Sequence, residues 1–143
     1  MLEIISSTPE ETKEIGIKIA SHLGSGSVVA LEGTLGSGKT YLTKGIALGL
    51  GIEETLTSPT YTIVNEYERE DLPALYHIDV YRLKDERDFS DIGGSEIING
   101  KGISVIEWSD RILKLLPAQA IFVSLVITGN ESRLIKINGL NKL

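Results

Sequence analysis

The chain has 143 residues, of which 41% are hydrophobic and 24% charged, and this size and composition predict one folded domain over residues 1–143. It has no cysteine, which excludes disulfides, thiolate zinc sites and cysteine nucleophiles. Its formal net charge of −6 and its scattered lysines and arginines argue against tight direct binding of nucleic acid, which needs a basic face.

The amino-terminal residues and the apolar runs predict where the protein works. The first residues lack a basic stretch followed by a long apolar run, so no signal peptide is predicted. Apolar runs such as Ile121–Ile127 are far shorter than the ~20 residues that span a bilayer. A cytoplasmic protein without membrane contact is expected.

The first half of the chain predicts alternating strands and helices. Thr8 is placed to cap a helix that begins at Pro9, and Glu11 completes a capping box. Residues 27–32 form a short β-branched apolar run, which is typical of a strand buried on both faces. In chain order we expect a strand at 2–5, a helix from Pro9 that ends at Gly24 and Gly26, a strand at 27–32, and a helix from Lys39 to about Leu50.

The second half predicts shorter elements and two hairpins. In chain order we expect a strand at 60–68, a turn at 69–73, a strand at 74–79, one or two short helices at 85–99 broken at Gly93-Gly94, a strand at 102–107, a helix that Ser109 caps and that ends before Pro117, and a hairpin of 120–128 and 133–138 turned at Gly129-Asn130. This order favours an α/β domain with a mostly parallel central sheet and antiparallel additions.

A glycine-rich loop connects the second strand to the second helix. Its residues satisfy the pattern G-x-x-x-x-G-K-[ST] and are Gly33, Thr34, Leu35, Gly36, Ser37, Gly38, Lys39 and Thr40. The glycines let successive N–H groups turn inward around a phosphate. Lys39 brings a positive charge to the β- and γ-phosphates, and Thr40 brings a hydroxyl to Mg²⁺. The pattern predicts nucleotide binding and a P-loop NTPase-like three-layer sandwich.

ATP is the nucleotide that the sequence favours. GTPases of this loop class recognise guanine with an internal Asn-Lys-x-Asp motif, whereas the only Asn-Lys pair here is Asn141-Lys142.

Two acidic residues end apolar strands beside this loop. Asp79 and Glu107 each follow a run that should place them at the carboxyl edge of the sheet, where such enzymes hold Mg²⁺ with a carboxylate. We favour Glu107 for direct metal contact together with Thr40, and Asp79 for a bound or attacking water, although the two roles could be exchanged. For either acid alone, capping of the next helix is an equal alternative.

Three further side chains have competing interpretations. His77 lies two residues before Asp79 and is interpreted as a packed, hydrogen-bonded histidine, because no third nitrogen or sulfur ligand lies nearby. Trp108 is a core residue, a base-stacking platform or a partner contact, with core packing slightly favoured. Thr60, in Ser58-Pro59-Thr60-Tyr61, is either a hydroxyl that senses the γ-phosphate or part of an ordinary turn.

Several motifs in this order resemble the TsaE (YjeE) family. The matching segments are the loop at 33–40, Ser-Pro-Thr-Tyr at 58–61, His-Ile-Asp-Val-Tyr-Arg at 77–82 and Ile-Glu-Trp at 106–108. Their order and spacing cover nearly the whole chain. Thr34 stands where an aspartate is common in the family, at a position that contributes its backbone more than its side chain.

The resemblance implies an ATPase of bacterial tRNA modification that requires Mg²⁺ and has weak intrinsic activity. Such a protein acts with a TsaD–TsaB pair, in which TsaD transfers a threonylcarbamoyl group to adenosine 37 of tRNA, so contact with tRNA is indirect. By the resemblance, Lys39 and Thr40 bind phosphate and Mg²⁺, Thr60 belongs to the switch, and Asp79 and Glu107 serve the metal and catalysis. Trp108 is grouped with the nucleotide-binding residues as functionally important, without a settled role.

Two other functions share the loop. A small P-loop kinase needs an acceptor site and usually an arginine-rich lid, whereas the five arginines here, at 69, 82, 87, 111 and 133, form no cluster in the sequence. A nucleotide-dependent interaction module needs ATP binding alone, and the sequence does not separate it from a slow ATPase.

Overall fold

A computed structural model describes residues 1–54, 56 and 64–143. Within these residues seven strands form one mixed sheet in the order β1-β7-β6-β2-β5-β4-β3. The strands are β1 (Leu2–Ser6), β2 (Val28–Gly33), β3 (Val64–Arg69), β4 (Leu72–Asp79), β5 (Ile103–Glu107), β6 (Ile121–Ile127) and β7 (Arg133–Asn138). The helices are α1 (Pro9–Ala20), α2 (Lys39–Gly49), α3 (Glu86–Asp91), α4 (Gly94–Ile98) and a 3-10 helix (Ser109–Leu115).

The centre of the sheet is parallel and its margins are antiparallel, as the sequence predicts. Strand β2 pairs in parallel with β5 and with β6, and β4 pairs in parallel with β5. Strands β1, β7 and β3 add antiparallel pairs at the two sides. Since parallel strands end at one edge, the carboxyl ends of β2, β4, β5 and β6 meet there.

Helices cover both faces of the sheet and make three layers. Strand residues alternate between the faces, so that Val29 and Leu31 pack with α1 and α2 while Val28 packs with α3, α4 and the 3-10 helix. All five residues of β5 are buried, as expected for a strand covered on both sides. The predicted α/β sandwich is confirmed.

Glycine lets α1 and α2 approach to main-chain contact. A Cβ on Gly16 would overlap the carbonyl oxygen of Leu42, and a Cβ on Gly45 would overlap the carbonyl oxygen of Lys13. Neither position has room for a methyl group. This contact sets the position of α2 and therefore of the loop that precedes it.

The amino-terminal helix begins as predicted but ends earlier. Thr8 caps it, with its hydroxyl accepting from the Glu11 N–H at 3.1 Å. The helix was expected to end at Gly24 and Gly26, and it ends at Ala20 instead. The next residues form i→i−3 bonds, and the Ser21 hydroxyl donates to the Lys18 carbonyl, so the final carbonyls are satisfied before the glycines.

The predicted turn at 69–73 was too long. Strand β3 continues to Arg69 and β4 starts at Leu72, so only residues 70 and 71 form the turn, with Asp71 in the left-handed region at φ 57°. Pro73 lies inside β4, next to a shift in register between the two strands. Proline lacks an N–H donor and is tolerated in sheets near the start of a strand or beside such an irregularity. The part of the predicted strand at 60–63 lies outside the described residues.

Ser109 does not cap the helix that follows it, contrary to the prediction. Its hydroxyl is buried and donates to the Leu31 carbonyl at 3.1 Å, which ties the 3-10 helix to β2. The residue before the helix is Trp108, and it makes no side-chain cap. The two helices predicted in 85–99 are present as α3 and α4 and meet at Gly93-Gly94.

No helix among the described residues is both long enough and apolar enough to cross a membrane.

Candidate phosphate-binding site

The glycine-rich loop lies at the carboxyl end of β2 and leads into α2. Gly36 and Gly38 have φ values of 80° and 102°, in the left-handed region that side chains disfavour. The Ser37 N–H donates to the Thr34 carbonyl at 3.0 Å and closes a turn within the loop. The first residue of α2 is Lys39, so the loop presents the positive end of a helix of 11 residues.

A cavity of about 290 Å³ opens at this edge of the sheet. Its lining brings together most of the predicted site residues, which are Leu35, Gly36, Ser37, Gly38, Lys39, Thr40, Asp79, Glu107 and Trp108. Gly33 and Thr34 line a neighbouring cavity of about 500 Å³, which Trp108 also borders. Thr60 lies outside the described residues.

Lys39 is a buried lysine surrounded by polar and aromatic groups. Its ammonium donates to the Gly33 carbonyl at 2.6 Å and lies 3.6 Å from the centre of the Trp108 ring. Burial lowers the pKa of Lys39, and the nearby carboxylates of Glu107, Asp79 and Asp110 oppose this shift. The charge is therefore partly shielded from water, and an anion entering the cavity would stabilise it.

Asp79 and Glu107 lie side by side at the ends of β4 and β5, where they are register partners. One oxygen of Asp79 accepts from the Tyr81 N–H at 2.9 Å, and one oxygen of Glu107 lies 2.5 Å from the His77 Nε2. No hydrogen bond within the described residues engages the second oxygen of either carboxylate. Each acid is thus oriented by the protein and keeps one oxygen for another ligand.

His77 is buried and hydrogen-bonded, as the sequence predicts. Within the described residues no group of three His, Asp or Glu side chains is arranged to hold a metal ion. The sequence did not reveal that the hydrogen-bond partner of His77 is Glu107. Only the parallel pairing of β4 with β5, in which His77 lies opposite Val105, brings the two residues to one face.

Trp108 has a strained backbone and borders both cavities. Its φ of 62° and ψ of 36° put a bulky residue in the left-handed region, at a cost of about 1–3 kcal/mol. One side of its ring faces Lys39, and the Tyr81 ring lies 4.8 Å away. The side chain is partly buried against the core, so it both packs and covers the lysine.

Arg133 is a site residue that sequence reasoning missed. It begins β7 and donates to the carbonyls of Gly36 and Ser37 at 3.0 Å each. The sequence separates it from the loop by nearly 100 residues, and only the neighbouring positions of β2, β6 and β7 in the sheet bring it there. Four further residues line the cavity without having been predicted, namely Pro9, Thr12, Tyr41 and Glu131.

The chemistry of these groups fits a nucleotide phosphate with Mg²⁺. The cavity offers one desolvated ammonium, the N-terminus of α2 and the exposed hydroxyl of Thr40. Asp79 and Glu107 add two carboxylate oxygens that have no partner within the described residues. Oxygen donors of this kind are those that Mg²⁺ prefers, and a lysine beside a helix N-terminus is what phosphate prefers.

Comparison with known proteins places this chain in a family. The family model described as "Threonylcarbamoyl adenosine biosynthesis protein TsaE" matches residues 6–135. A tRNA threonylcarbamoyladenosine biosynthesis protein TsaE from Treponema pallidum is 41% identical over 136 residues, covering 95% of this chain and 99% of the relative. The TsaE protein of Bacillus subtilis is 44% identical over 125 residues, covering 87% and 77%.

A solved structure agrees with these relatives. The crystal structure of Bacillus subtilis YdiB superposes with a TM-score of 0.78 at 36% identity, covering 94% of this chain and 82% of that chain. The fold, the motifs and the relatives point the same way, and this chain belongs to the TsaE family of tRNA threonylcarbamoyladenosine biosynthesis proteins.

Proposed function

We propose that this protein binds ATP with Mg²⁺ and hydrolyses it slowly, in support of a TsaD–TsaB pair that modifies adenosine 37 of tRNA. The observation that carries the proposal is the meeting of Lys39, Thr40, Asp79 and Glu107 at one cavity. These residues come from three separate elements, and each has the chemical character that phosphoryl transfer requires.

Each residue has a distinct role in this proposal. Lys39 contacts the β- and γ-phosphates, and the loop N–H groups surround the β-phosphate. Thr40 and one or both of Asp79 and Glu107 hold Mg²⁺, which neutralises phosphate charge when bound. Where only one acid holds the metal directly, the other orients the attacking water. His77 fixes the orientation of Glu107 through its hydrogen bond.

The burial of the site explains why unassisted turnover would be slow. Lys39 is held by the Gly33 carbonyl and the Trp108 ring, so it must exchange these contacts for a phosphate. In this chemistry a group supplied by a partner can raise the rate by roughly 10³–10⁵. We infer that the TsaD–TsaB pair supplies such a group or such a rearrangement. The acidic balance of the chain suits indirect contact with tRNA in the cytoplasm.

The decisive experiment measures Mg²⁺-dependent ATP turnover by this protein alone and with its TsaD–TsaB pair. We expect slow turnover alone, clear stimulation by the pair, and loss of both in Glu107→Gln. Equal rates with and without the pair would remove the partner assignment while leaving an ATPase. ATP binding without turnover in either mixture would instead identify an interaction module, and phosphate transfer to a small acceptor would identify a kinase.

A further inference from the structure

We propose that Arg133 is a positioning residue for nucleotide binding, which orients the main chain of the phosphate-binding loop through hydrogen bonds to its carbonyls. The inference rests on the proposed function, since it names a residue that prepares the same site. Within the described residues, all the hydrogen bonds of its guanidinium are to main-chain carbonyls, and none is to a carboxylate.

The guanidinium of Arg133 joins two separate segments. Its Nε donates to the Ser37 carbonyl and its Nη2 to the Gly36 carbonyl, each at 3.0 Å. Its Nη1 donates to carbonyls in the connection between β6 and β7, those of Gly129 at 3.1 Å, Asn130 at 3.3 Å and Ser132 at 2.7 Å. The phosphate-binding loop is thereby tied to the first residue of β7 and to the turn of the β6–β7 hairpin.

These bonds fix the direction of loop N–H groups. In a planar trans peptide the C=O and the following N–H point in opposite directions. The donor that holds the Ser37 carbonyl therefore aims the Gly38 N–H in the opposite direction, and the bond to the Gly36 carbonyl keeps the Ser37 N–H directed at the Thr34 carbonyl, which closes the turn of the loop. Gly36 and Gly38 have left-handed backbones and no side chains, so the loop itself has little to keep these peptides in place.

The geometry of these hydrogen bonds requires an arginine. Its planar guanidinium presents donors in a fixed fork, so it can hold two consecutive carbonyls and a hairpin at once. A lysine ammonium is a single point charge on a flexible stem and cannot span both segments in this geometry. Its positive charge would still be present near the cavity, which separates the effect of orientation from the effect of charge.

The test compares Arg133→Lys with Arg69→Lys. Arg69 is a matched control, because it also donates to main-chain carbonyls, of Pro73 at 2.7 Å and Leu50 at 3.0 Å, and it does not line the phosphate cavity. Calorimetry should show ATP–Mg²⁺ binding weakened by about tenfold in Arg133→Lys and unchanged in Arg69→Lys. Arg133→Gln, which keeps a neutral donor, provides a second variant if the lysine variant does not fold.

A second readout needs no nucleotide. Hydrogen exchange of the Ser37 and Gly38 amides in the ligand-free protein should be about tenfold faster in Arg133→Lys than in the wild type. Unchanged affinity together with unchanged loop exchange would overturn the positioning role, as would an equal loss of affinity in Arg69→Lys. If the wild type fails to bind ATP but the loop exchange still responds to Arg133, the proposed function fails, and only the fixing of the loop main chain by Arg133 stands.

Discussion

The two ends of α2 are built in opposite ways. Toward its carboxyl end, Gly45 packs on α1 without a side chain, in a contact where main chain meets main chain among apolar neighbours. At its amino end, the buried charge of Lys39 lies under a Trp108 ring whose own backbone is strained. The helix contact at one end stabilises the domain. At the other end a buried charge and a strained backbone lower its stability, at the cavity where we propose that the nucleotide binds.

This difference predicts that substitutions at the two ends will separate binding from stability. Changes at the site should lower ATP affinity and leave the free energy of unfolding nearly unaltered. Changes at the helix contact should do the reverse.

The largest effect is expected for Lys39→Ala. ATP affinity should fall about a thousandfold, because a unit charge about 4 Å from a phosphate contributes about 4 kcal/mol at an effective dielectric of 20. The free energy of unfolding should stay the same or rise, since burial disfavours this charge. Calorimetry and urea unfolding measure the two quantities. Lys44→Ala, an exposed change on the same helix, should alter neither, and retained ATP affinity in Lys39→Ala would refute the loop assignment.

Gly45→Ala tests the opposite end of the helix. The free energy of unfolding should fall by about 3 kcal/mol, because the added methyl group overlaps the Lys13 carbonyl and forces α1 and α2 apart. Gly24→Ala is the control, since nothing lies within 4 Å of its added Cβ, and it should change stability by no more than about 0.5 kcal/mol. A folded Gly45→Ala protein that unfolds like the wild type would show that the helices can yield at little cost.

His77→Ala should lower both stability and ATP turnover, because His77 is a buried residue that also orients Glu107 at the site. Its removal leaves the buried Glu107 carboxylate without its donor, which should lower the free energy of unfolding by about 2 kcal/mol. ATP turnover should also fall, because Glu107 loses its fixed orientation. His22→Ala, on an exposed residue, is the matched control. A loss of stability with full turnover would limit His77 to a structural role.

The smallest effect is a pH dependence of ATP binding. Burial lowers the pKa of Lys39 below the ordinary value of 10.5 in the free protein, and a bound phosphate favours the charged form. At pH values below that lowered pKa, Lys39 is already charged and ATP affinity should not change with pH. Above it, Lys39 must take up a proton when ATP binds, so ATP affinity should fall as the pH rises through the lowered pKa. Lys39→Arg, which stays charged, should lack this fall. An equal fall in both proteins would assign the dependence to another group.

The free energy of unfolding depends on pH with the opposite sign to ATP affinity. Between the lowered pKa of Lys39 and 10.5, the unfolded chain binds more protons at this residue than the folded chain does. The contribution of Lys39 to the free energy of unfolding therefore rises with pH across this interval and is constant outside it.

Local patterns determined much of the fold in advance. The Thr8 cap, the glycine-rich loop between a strand and a helix, and the break at Gly93-Gly94 are signals that short segments carry by themselves. The errors arose where a distant partner decided the outcome. Ser109 looks like a helix cap, but its hydroxyl reaches the Leu31 carbonyl on β2. Pro73 looks like a turn residue, but β4 pairs with β3 on both sides of it, across an irregular register.

The candidate site divides in the same way. The sequence by itself determined the loop, the positions of Lys39 and Thr40 at the start of α2 and the strand-end positions of Asp79 and Glu107, because periodicity and turn residues are local properties of a chain. Only the tertiary structure decided that His77 contacts Glu107, that Trp108 covers Lys39 and that Arg133 reaches the loop. Strand order and register in the sheet set those contacts, and they depend on pairing between segments far apart in sequence.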